Sequence, residues 1–309
     1  MNNSKTPKVT VLISTKNRET LVTRAINSVL AQTFLDFELI IADVSDNDLT
    51  QKALSDYTDP RVIYRRITNE LFAARTVNSA VENARGKYIA FCDDDDEWSS
   101  NEKLAKQVAL LDKLGDDYGF VACAYELWND RTNSHIKFVY PKAKGMIFIE
   151  MLKENVASGM PALLIRRDAY LAVGGFEEGI KYSADYLLQT KLSKSYKFDF
   201  IPEVLVLGHT QHEFGSQQNL VKSNCNYRDK MEYFECFLKL FASDYQENLP
   251  AKKEKIETLI TLATKSGDLE SFIKYMKLYC KSNGRLLFIV KRGIELTKNI
   301  SKKRSWFIV

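Results

Sequence analysis

The stretch "GKYIAFCDDDDEW", residues 86–98, runs a short apolar segment straight into five consecutive carboxylates and a tryptophan. "KYIAF" reads as a buried strand, and Gly86 closes the helix pattern before it. The acids then stand at the strand's carboxyl end. What they do there depends on the kind of sheet the strand joins.

Working backward from residue 86, strand and helix patterns alternate. "KVTVLIS" (8–14) is β-branched and apolar, "ETLVTRAINSVLAQ" (19–32) spaces Leu21, Ile26, Val29 and Leu30 as a helix does, and "FELIIAD" (37–43) is a strand again. "DLTQKALSDY" predicts a helix, "RVIYRRI" a strand and "FAARTVNSAVENA" a helix. Near-continuous apolar strands separated by such helices predict parallel βαβ units covered on both faces. Ligands of such sheets bind beyond the carboxyl ends of the strands. Asp43 and the acidic run both lie there.

Forward from Trp98 the alternation breaks. "NEKLAKQVALLDKLG" predicts a helix, "YGFVACAYELW" a strand, "NDRTNSHIKFVYPKAKG" a polar hairpin, "PALLIRR" a strand, "ADYLLQTKLSKS" a helix and "FDFIPEVLVLG" a strand. This predicts a mixed second half built onto the first sheet. From residue 221 the pattern is helical, through "KMEYFECFLKLFASDY", "AKKEKIETLITLATKSG", "LESFIKYMKLYCKSNG" and "RLLFIVKRGIELTKNI". The expected organisation is 1–98, a regular first half of the sheet; 99–220, a mixed second half; and 221–309, a helical extension with a basic tail.

Composition narrows the function classes. The chain has 309 residues, 45% hydrophobic and 27% charged, enough for a sizeable core. Its five cysteines are scattered without a CxxC pair, which argues for reduced, mostly buried thiols. No window is apolar enough to span a membrane, and the N-terminus lacks a signal-peptide pattern, so a cytoplasmic chain is expected. The net charge is +4, but residues 281–309 carry eight basic side chains against Glu295 alone, leaving a mildly acidic body. That distribution argues against nucleic acid as a partner.

Four aspartates just past a buried strand suit a hard divalent cation, which takes oxygen ligands from one or two carboxylates plus substrate phosphates. A solvated acidic turn capping the helix after Asn101 is the competing reading. Trp98 favours the first, because a solvated loop needs no apolar anchor. An EF-hand is excluded, since its glycine and terminal glutamate are missing.

The segment "FCDDDDEW" resembles the D-x-D-D-x-W form of the DXD motif of family-2 glycosyltransferases. "VTVLISTKNRETLVTRAINSVLAQTFLDFELIIAD" is similar to the opening of that family, "AARTVNSAVENARGKYIAF" to its A-R-N segment, and "VGGFEEGIKYSADYLL" to its G-G-F-D-E…E-D segment. Together these cover about residues 8–215 in the family's order. The resemblance implies a GT-A fold, α/β and Rossmann-like, with a mixed sheet flanked by helices. It also implies an inverting transfer of a sugar from a nucleotide-sugar donor, expected to be a UDP-sugar, to a glycan or lipid-linked acceptor in surface polysaccharide biosynthesis, with Mn²⁺ or Mg²⁺ as cofactor.

By position, the resemblance makes Asp185 the catalytic base. It places Ser14, Thr15, Asn17, Arg18, Asp43, Arg75, Asp93 and Asp94 around the nucleotide sugar, with Asp43 toward the base and Arg75 toward base and diphosphate. Asp95 and His212 are the implied metal contacts, His212 standing slightly better than His209, and Asp96 supports them. Asp94 is the expendable member of the four. A helix-start charge for Asp185, a turn role for Asp43 and a surface ion pair for Arg75 are the competing structural roles.

Several positions depart from the family. "DVSD" stands where "DDGS" is usual, Lys16 where an aromatic residue is usual, Thr76 where asparagine is usual and Ala184 where glutamate is usual. These encourage an alternative, a non-catalytic sugar-nucleotide-binding or scaffolding protein, against which the joint retention of Asp93, Asp95 and Asp185 speaks. A nucleotidyltransferase would carry a glycine-rich loop after its first strand, and "STKNRET" has no glycine. The tail "RLLFIVKRGIELTKNISKKRSWFIV" suits either peripheral contact with anionic lipid on the inner face of the membrane or a docked helix with a solvated basic face.

Overall fold

The computed structural model describes residues 6–67, 73–180, 183–210, 227–282 and Arg292. The chain divides into two compact units, one of 1–151, 155–179 and 184–219, the other of 152–154, 180–183 and 220–309. His212 and the basic tail, apart from Lys281 and Arg292, lie outside the described residues.

The first unit is built on one sheet. β1 (Val9–Thr15), β2 (Phe37–Asp43), β3 (Val62–Arg66) and β4 (Tyr88–Phe91) are parallel, linked by α1 (Glu19–Leu30), α2 (Leu49–Ala53) and α3 (Ala73–Glu82). After α4 (Lys103–Lys113) come β5 (Tyr118–Asn129), β6 (Ser134–Val139), the short α5 (Phe148–Met151), β7 (Leu163–Arg166), α6 (Arg167–Ala172), α7 (Ala184–Ser195) and β8 (Lys197–Thr210). The strand order is β3-β2-β1-β4-β7-β5, with β7 antiparallel to both neighbours. β8 runs parallel to β5 along one edge, and β6 pairs antiparallel with the distal half of β5 on the other. The expected mixed α/β architecture, the GT-A fold, is present.

The strands read as continuous apolar runs because both faces are covered. Val9, Val11 and Ile13 pack with Leu39, Ile41 and Tyr88 beneath Val22, Ile26 and Val29 of α1 and Leu104, Val108 and Leu111 of α4. The alternate residues Leu12, Ile40, Ile89 and Phe91 face Val81, Leu188 and Leu192 on the other side. Each such side chain taken from water contributes about 1.5–3 kcal/mol, so the sheet's two faces hold the frame rigid beneath the loops at its carboxyl end.

Gly86 is required by a close approach: a Cβ there would stand 2.3 Å from the Thr10 backbone nitrogen. That contact sets β4 against β1 and fixes where the acidic turn begins.

The second unit is helical. α8 (Tyr227–Leu240), α9 (Ala242–Glu247), α10 (Leu249–Ser266) and α11 (Leu269–Lys281) follow the predicted periodicity. Met231, Ile256, Leu259, Ile260, Ala263, Tyr275 and Tyr279 form its core. Asn248 and Asp268 cap α10 and α11, and Gly267 ends α10 in the left-handed conformation. Among the described residues no helix is long and apolar enough to cross a membrane.

Candidate active site

β4 delivers the acidic turn at the carboxyl edge of the sheet, and three anchors hold it there. Trp98 is buried, its indole N–H donating to the Pro161 carbonyl at 3.2 Å and its backbone N–H to Ser28 Oγ at 3.0 Å. The Lys103 ammonium lies 4.0 Å from the centre of the indole ring. Glu97 bridges to Leu207 of β8. The apolar anchor expected of Trp98 is thus a clamp that fixes the exit of the turn.

The carboxylates are not equivalent. Asp93, Asp95 and Asp96 bring one oxygen each within 4.8 Å of one another, whereas Asp94 turns away to the Arg18 guanidinium at 2.7 Å. Arg18 also reaches Asp95 at 3.2 Å, and its side chain is only 8% exposed. Burial works against its charge, but Asp94, Asp95 and Asp93 outweigh it and raise its pKa. Asp94 is itself buried and sits at about 6, because desolvation exceeds the pull of Arg18. The aspartate expected to be expendable is thus the one that the fold buries and pairs with Arg18.

Asp93 faces the solvent side of the cleft yet is hemmed in by protein, and desolvation followed by the charges of Asp95, Asp94 and Asp185 pushes it up to about 8. Burial first, then Asp93 and Asp95, drives Asp96 well above the usual carboxylate range. A cluster of this kind lowers its repulsion by holding a cation. The donor set, oxygen only and partly buried, fits Mg²⁺ or Mn²⁺.

Asp185 stands in the first turn of α7, and its charge is felt at Asp93. Desolvation raises its pKa, opposed by hydrogen bonds from the backbone at Tyr186 and at Asp185 itself. Ser183 has φ 47°, in the left-handed region.

Ser14 and Thr15 end β1, and the β1–α1 loop carries Asn17 and Arg18. Asn17 adopts φ 53°, a conformation asparagine tolerates better than most residues. Its side chain accepts from the Asp46 backbone N–H at 3.0 Å and donates to the Asp46 carboxylate at 3.1 Å, tying the β1 and β2 loops together. Thr15 is buried at the end of β1, and its hydroxyl is among the buried groups without a hydrogen-bond partner.

Asp43 is fully buried and turned inward. One oxygen accepts the Ser45 N–H at 2.8 Å and the other the Tyr64 hydroxyl at 2.7 Å. The structure thus gives Asp43 a turn-fixing role, while the neighbouring Val44 is partly exposed. Arg75 pairs with Glu178 at 2.8 Å, both more than 45% exposed.

Pattern reading left Tyr125 and Arg24 unmarked and ranked His209 second. Tyr125, on β5, is raised to about 12 by desolvation, then by the charges of Asp185 and Asp96. His209, ranked below His212, lies between Asp130 at 2.6 Å and Glu97 at 3.4 Å, and its backbone N–H donates to Asp96 at 2.8 Å. Arg24 donates to the Asp95 carbonyl at 2.5 Å. The β5–β8 pairing assembles the Asp130–His209 contact across the chain, and no local pattern announces it.

The comparison with known families agrees with this geometry. The profile of Glycosyl transferase family 2 matches residues 10–171, from β1 to α6. The chain belongs to glycosyl transferase family 2. A glycosyltransferase of Rickettsia typhi is 29% identical over 209 residues, covering 66% of this chain and 64% of that protein. The Escherichia coli UDP-Glc:alpha-D-GlcNAc-diphosphoundecaprenol beta-1,3-glucosyltransferase WfgD is 31% identical over 189 residues, 60% of this chain and 70% of WfgD. Among solved structures, the mannosyltransferase PcManGT of Pyrobaculum calidifontis, in complex with GDP-Man and Mn²⁺, superposes with a TM-score of 0.56. It is 16% identical and the match covers 97% of this chain and 89% of that one, so it supports the fold alone. As a family-2 glycosyltransferase, this chain has relatives in cell-surface polysaccharide biosynthesis.

Proposed function

We propose that this family-2 glycosyltransferase transfers a sugar, with inversion, from a UDP-sugar to a hydroxyl of a lipid-linked glycan. The observation that carries the reading is the meeting of Asp93, Asp95 and Asp96 at the carboxyl edge of the sheet, within electrostatic reach of Asp185. The WfgD name supplies the donor and acceptor classes, a UDP-sugar and a diphosphoundecaprenol-linked sugar.

In this reading Asp93, Asp95 and Asp96 hold a divalent cation, Mn²⁺ or Mg²⁺. When bound, the cation neutralises charge developing on the departing diphosphate. Asp185 takes the proton of the acceptor hydroxyl as that oxygen attacks the anomeric carbon from the face opposite the nucleotide. The nucleoside diphosphate leaves with the electrons of the broken glycosidic bond. Burial raises the basicity of Asp185, which suits it to accept that proton near neutral pH. Arg18 holds Asp94 and Asp95 in place rather than the substrate. Arg75, on the exposed side, is the cation placed to exchange Glu178 for a phosphate oxygen.

The test is a thermal-shift screen of nucleotide sugars with and without Mn²⁺, followed by product analysis with the best donor. A UDP-sugar is expected to stabilise the wild type only with the metal, and Asp95→Ala to abolish the shift. Stabilisation by no nucleotide sugar, or equally with chelator present, rules the reading out.

A further inference from the structure

The β5–β6 hairpin carries a surface that transfer chemistry does not explain. The turn and β6 carry Arg131 and Lys137, and the loop after β6 carries Lys142 and Lys144, of which Lys144 pairs with Asp199 at 2.5 Å, while Glu126 of β5 pairs with His135 at 2.8 Å. Interleaved with them, Ile136, Phe138 and Tyr140 are 45%, 51% and 49% exposed. Single exposed apolar residues are ordinary on a protein surface, but three large ones within five positions form a patch. Phe138 lies near both His135 and Tyr140, with ring centres 4.4 Å and 6.5 Å away and the ring planes tilted, so the rings are gathered. Among the described residues β6 pairs only with β5.

The chemistry of the patch selects its occupant. Exposed aromatic rings flanked by lysine and arginine match the headgroup region of a bilayer, where rings settle at the boundary and basic side chains reach anionic phosphates. Arg131 and Lys137, on a chain whose first 280 residues carry a slight negative excess, complement an anionic surface. Edge pairing with a second copy would set Lys137 and its neighbours against their own like charges, which disfavours it. The hairpin is also continuous with the candidate site. Its turn begins at Asp130, whose carboxylate holds His209 and whose backbone N–H donates to the Thr210 carbonyl at 3.0 Å.

We propose that the β5–β6 hairpin is an interfacial anchor that seats the first unit on a membrane surface containing anionic lipid, with the cleft beside the bilayer. The anchor is separate from the basic tail and does not depend on the proposed donor or acceptor. Lipid binding is therefore measured with neither substrate present, and its failure leaves the proposed function standing.

The experiment is co-sedimentation of the full chain with vesicles of phosphatidylcholine alone or with roughly a third phosphatidylglycerol. The wild type is expected in the pellet with the anionic vesicles only. Arg131→Glu/Lys137→Glu is expected to weaken that binding by about tenfold or more, each charge near the surface contributing about fivefold. Phe138→Ser/Tyr140→Ser is expected to weaken it by about the same factor. All these positions are exposed, and unchanged melting temperatures would verify that the variants fold. Wild-type binding by both double variants, or equal binding to neutral and anionic vesicles, overturns the proposal. So does a dimer in analytical ultracentrifugation that the Phe138→Ser/Tyr140→Ser pair abolishes, or a raised KM for a water-soluble acceptor with vesicle binding intact.

Discussion

The two ends of one sheet treat buried acid in opposite ways. At the amino end, Glu38 of β2 is 3% exposed, and its carboxylate accepts from Thr10 Oγ1 at 2.7 Å, the Arg85 backbone N–H at 2.9 Å and Arg85 Nε at 2.7 Å. At the carboxyl end, Asp93, Asp95 and Asp96 crowd within 4.8 Å, and Asp93 and Asp96 are driven toward their protonated forms. Both places are costly to build, because buried charge must be paired or neutralised. The chain completes the pairing internally around Glu38. Around the acidic turn repulsion is not relieved in the same way, and in the proposed reading a bound cation relieves it.

The sharpest way to break this contrast is to exchange the phenotypes of the two ends. Asp95→Ala and Asp185→Asn are expected to lower the transfer rate by about 10³-fold or more while leaving the urea midpoint near wild type. Glu38→Gln is expected to do the reverse, holding kcat within about threefold while removing about 1 kcal/mol of stability, because the Arg85 side chain is 49% exposed and water takes over part of the lost pairing. Initial rates of nucleoside diphosphate release and urea unfolding of the same three variants decide the matter. A Glu38→Gln enzyme that is stable but slow would remove the distinction.

Asp94 is the intermediate case, lying in the acidic turn yet paired like Glu38. Asp94→Ala leaves Arg18 buried with Asp95 alone, and the expected cost is about 2–3 kcal/mol in urea unfolding. Asp94→Asn keeps a hydrogen-bond acceptor for Arg18 and is expected to recover about half of that. A silent Asp94→Ala would return Asp94 to the expendable role that its place in the sequence suggests.

How much of this was legible beforehand depends on how local the signal is. β1 to β4 could be read because each is an apolar run with both faces covered, and the acidic turn because it follows such a run directly. "PALLIRR" could be read as a strand, but its insertion between β4 and β5, antiparallel to both, depends on contacts remote in sequence. The direction of a side chain in a turn is equally hidden. Nothing in "DDDD" says that Asp94 faces Arg18 while its neighbours converge, and nothing in "FELIIAD" says that Asp43 folds back onto Tyr64 and Ser45. The Asp130–His209 pair spans 79 residues and exists only because β8 lies along β5.

The repulsion in the turn has a pH signature. An aspartate in the unfolded chain titrates near about 4, whereas folded Asp93 titrates at about 8. Between those values the folded state holds a proton that the unfolded state has released, so stability falls as pH rises and levels off above about 8. Metal-free protein is thus expected to melt lower at pH 8 than at pH 5 through this group. Asp93→Asn should raise the melting temperature at pH 8 by about 2–4 °C, roughly 1 kcal/mol once the exposure of Asp93 is discounted. Saturating Mn²⁺ should stabilise the wild type at pH 8 and the variant far less. A flat wild-type profile would mean that the turn already holds its charge comfortably, as Glu38 does.

The smallest expected effect lies at Arg75, outside both buried clusters. Its pair with Glu178 joins α3 to the loop that precedes α7, but both side chains are largely exposed, 57% and 47%. Water and salt screen such a pair, so Arg75→Ala is expected to change stability by less than about 0.5 kcal/mol. Its effect on substrate should be larger than its effect on the fold. If the guanidinium exchanges Glu178 for the donor diphosphate, Arg75→Ala raises the donor KM about tenfold with kcat nearly constant, the mark of uniform binding. Glu178→Ala, which removes the competing carboxylate, should then lower the donor KM. Unchanged donor KM values for both variants would leave Arg75 as a surface ion pair and confine the working charge to the acidic turn and Asp185.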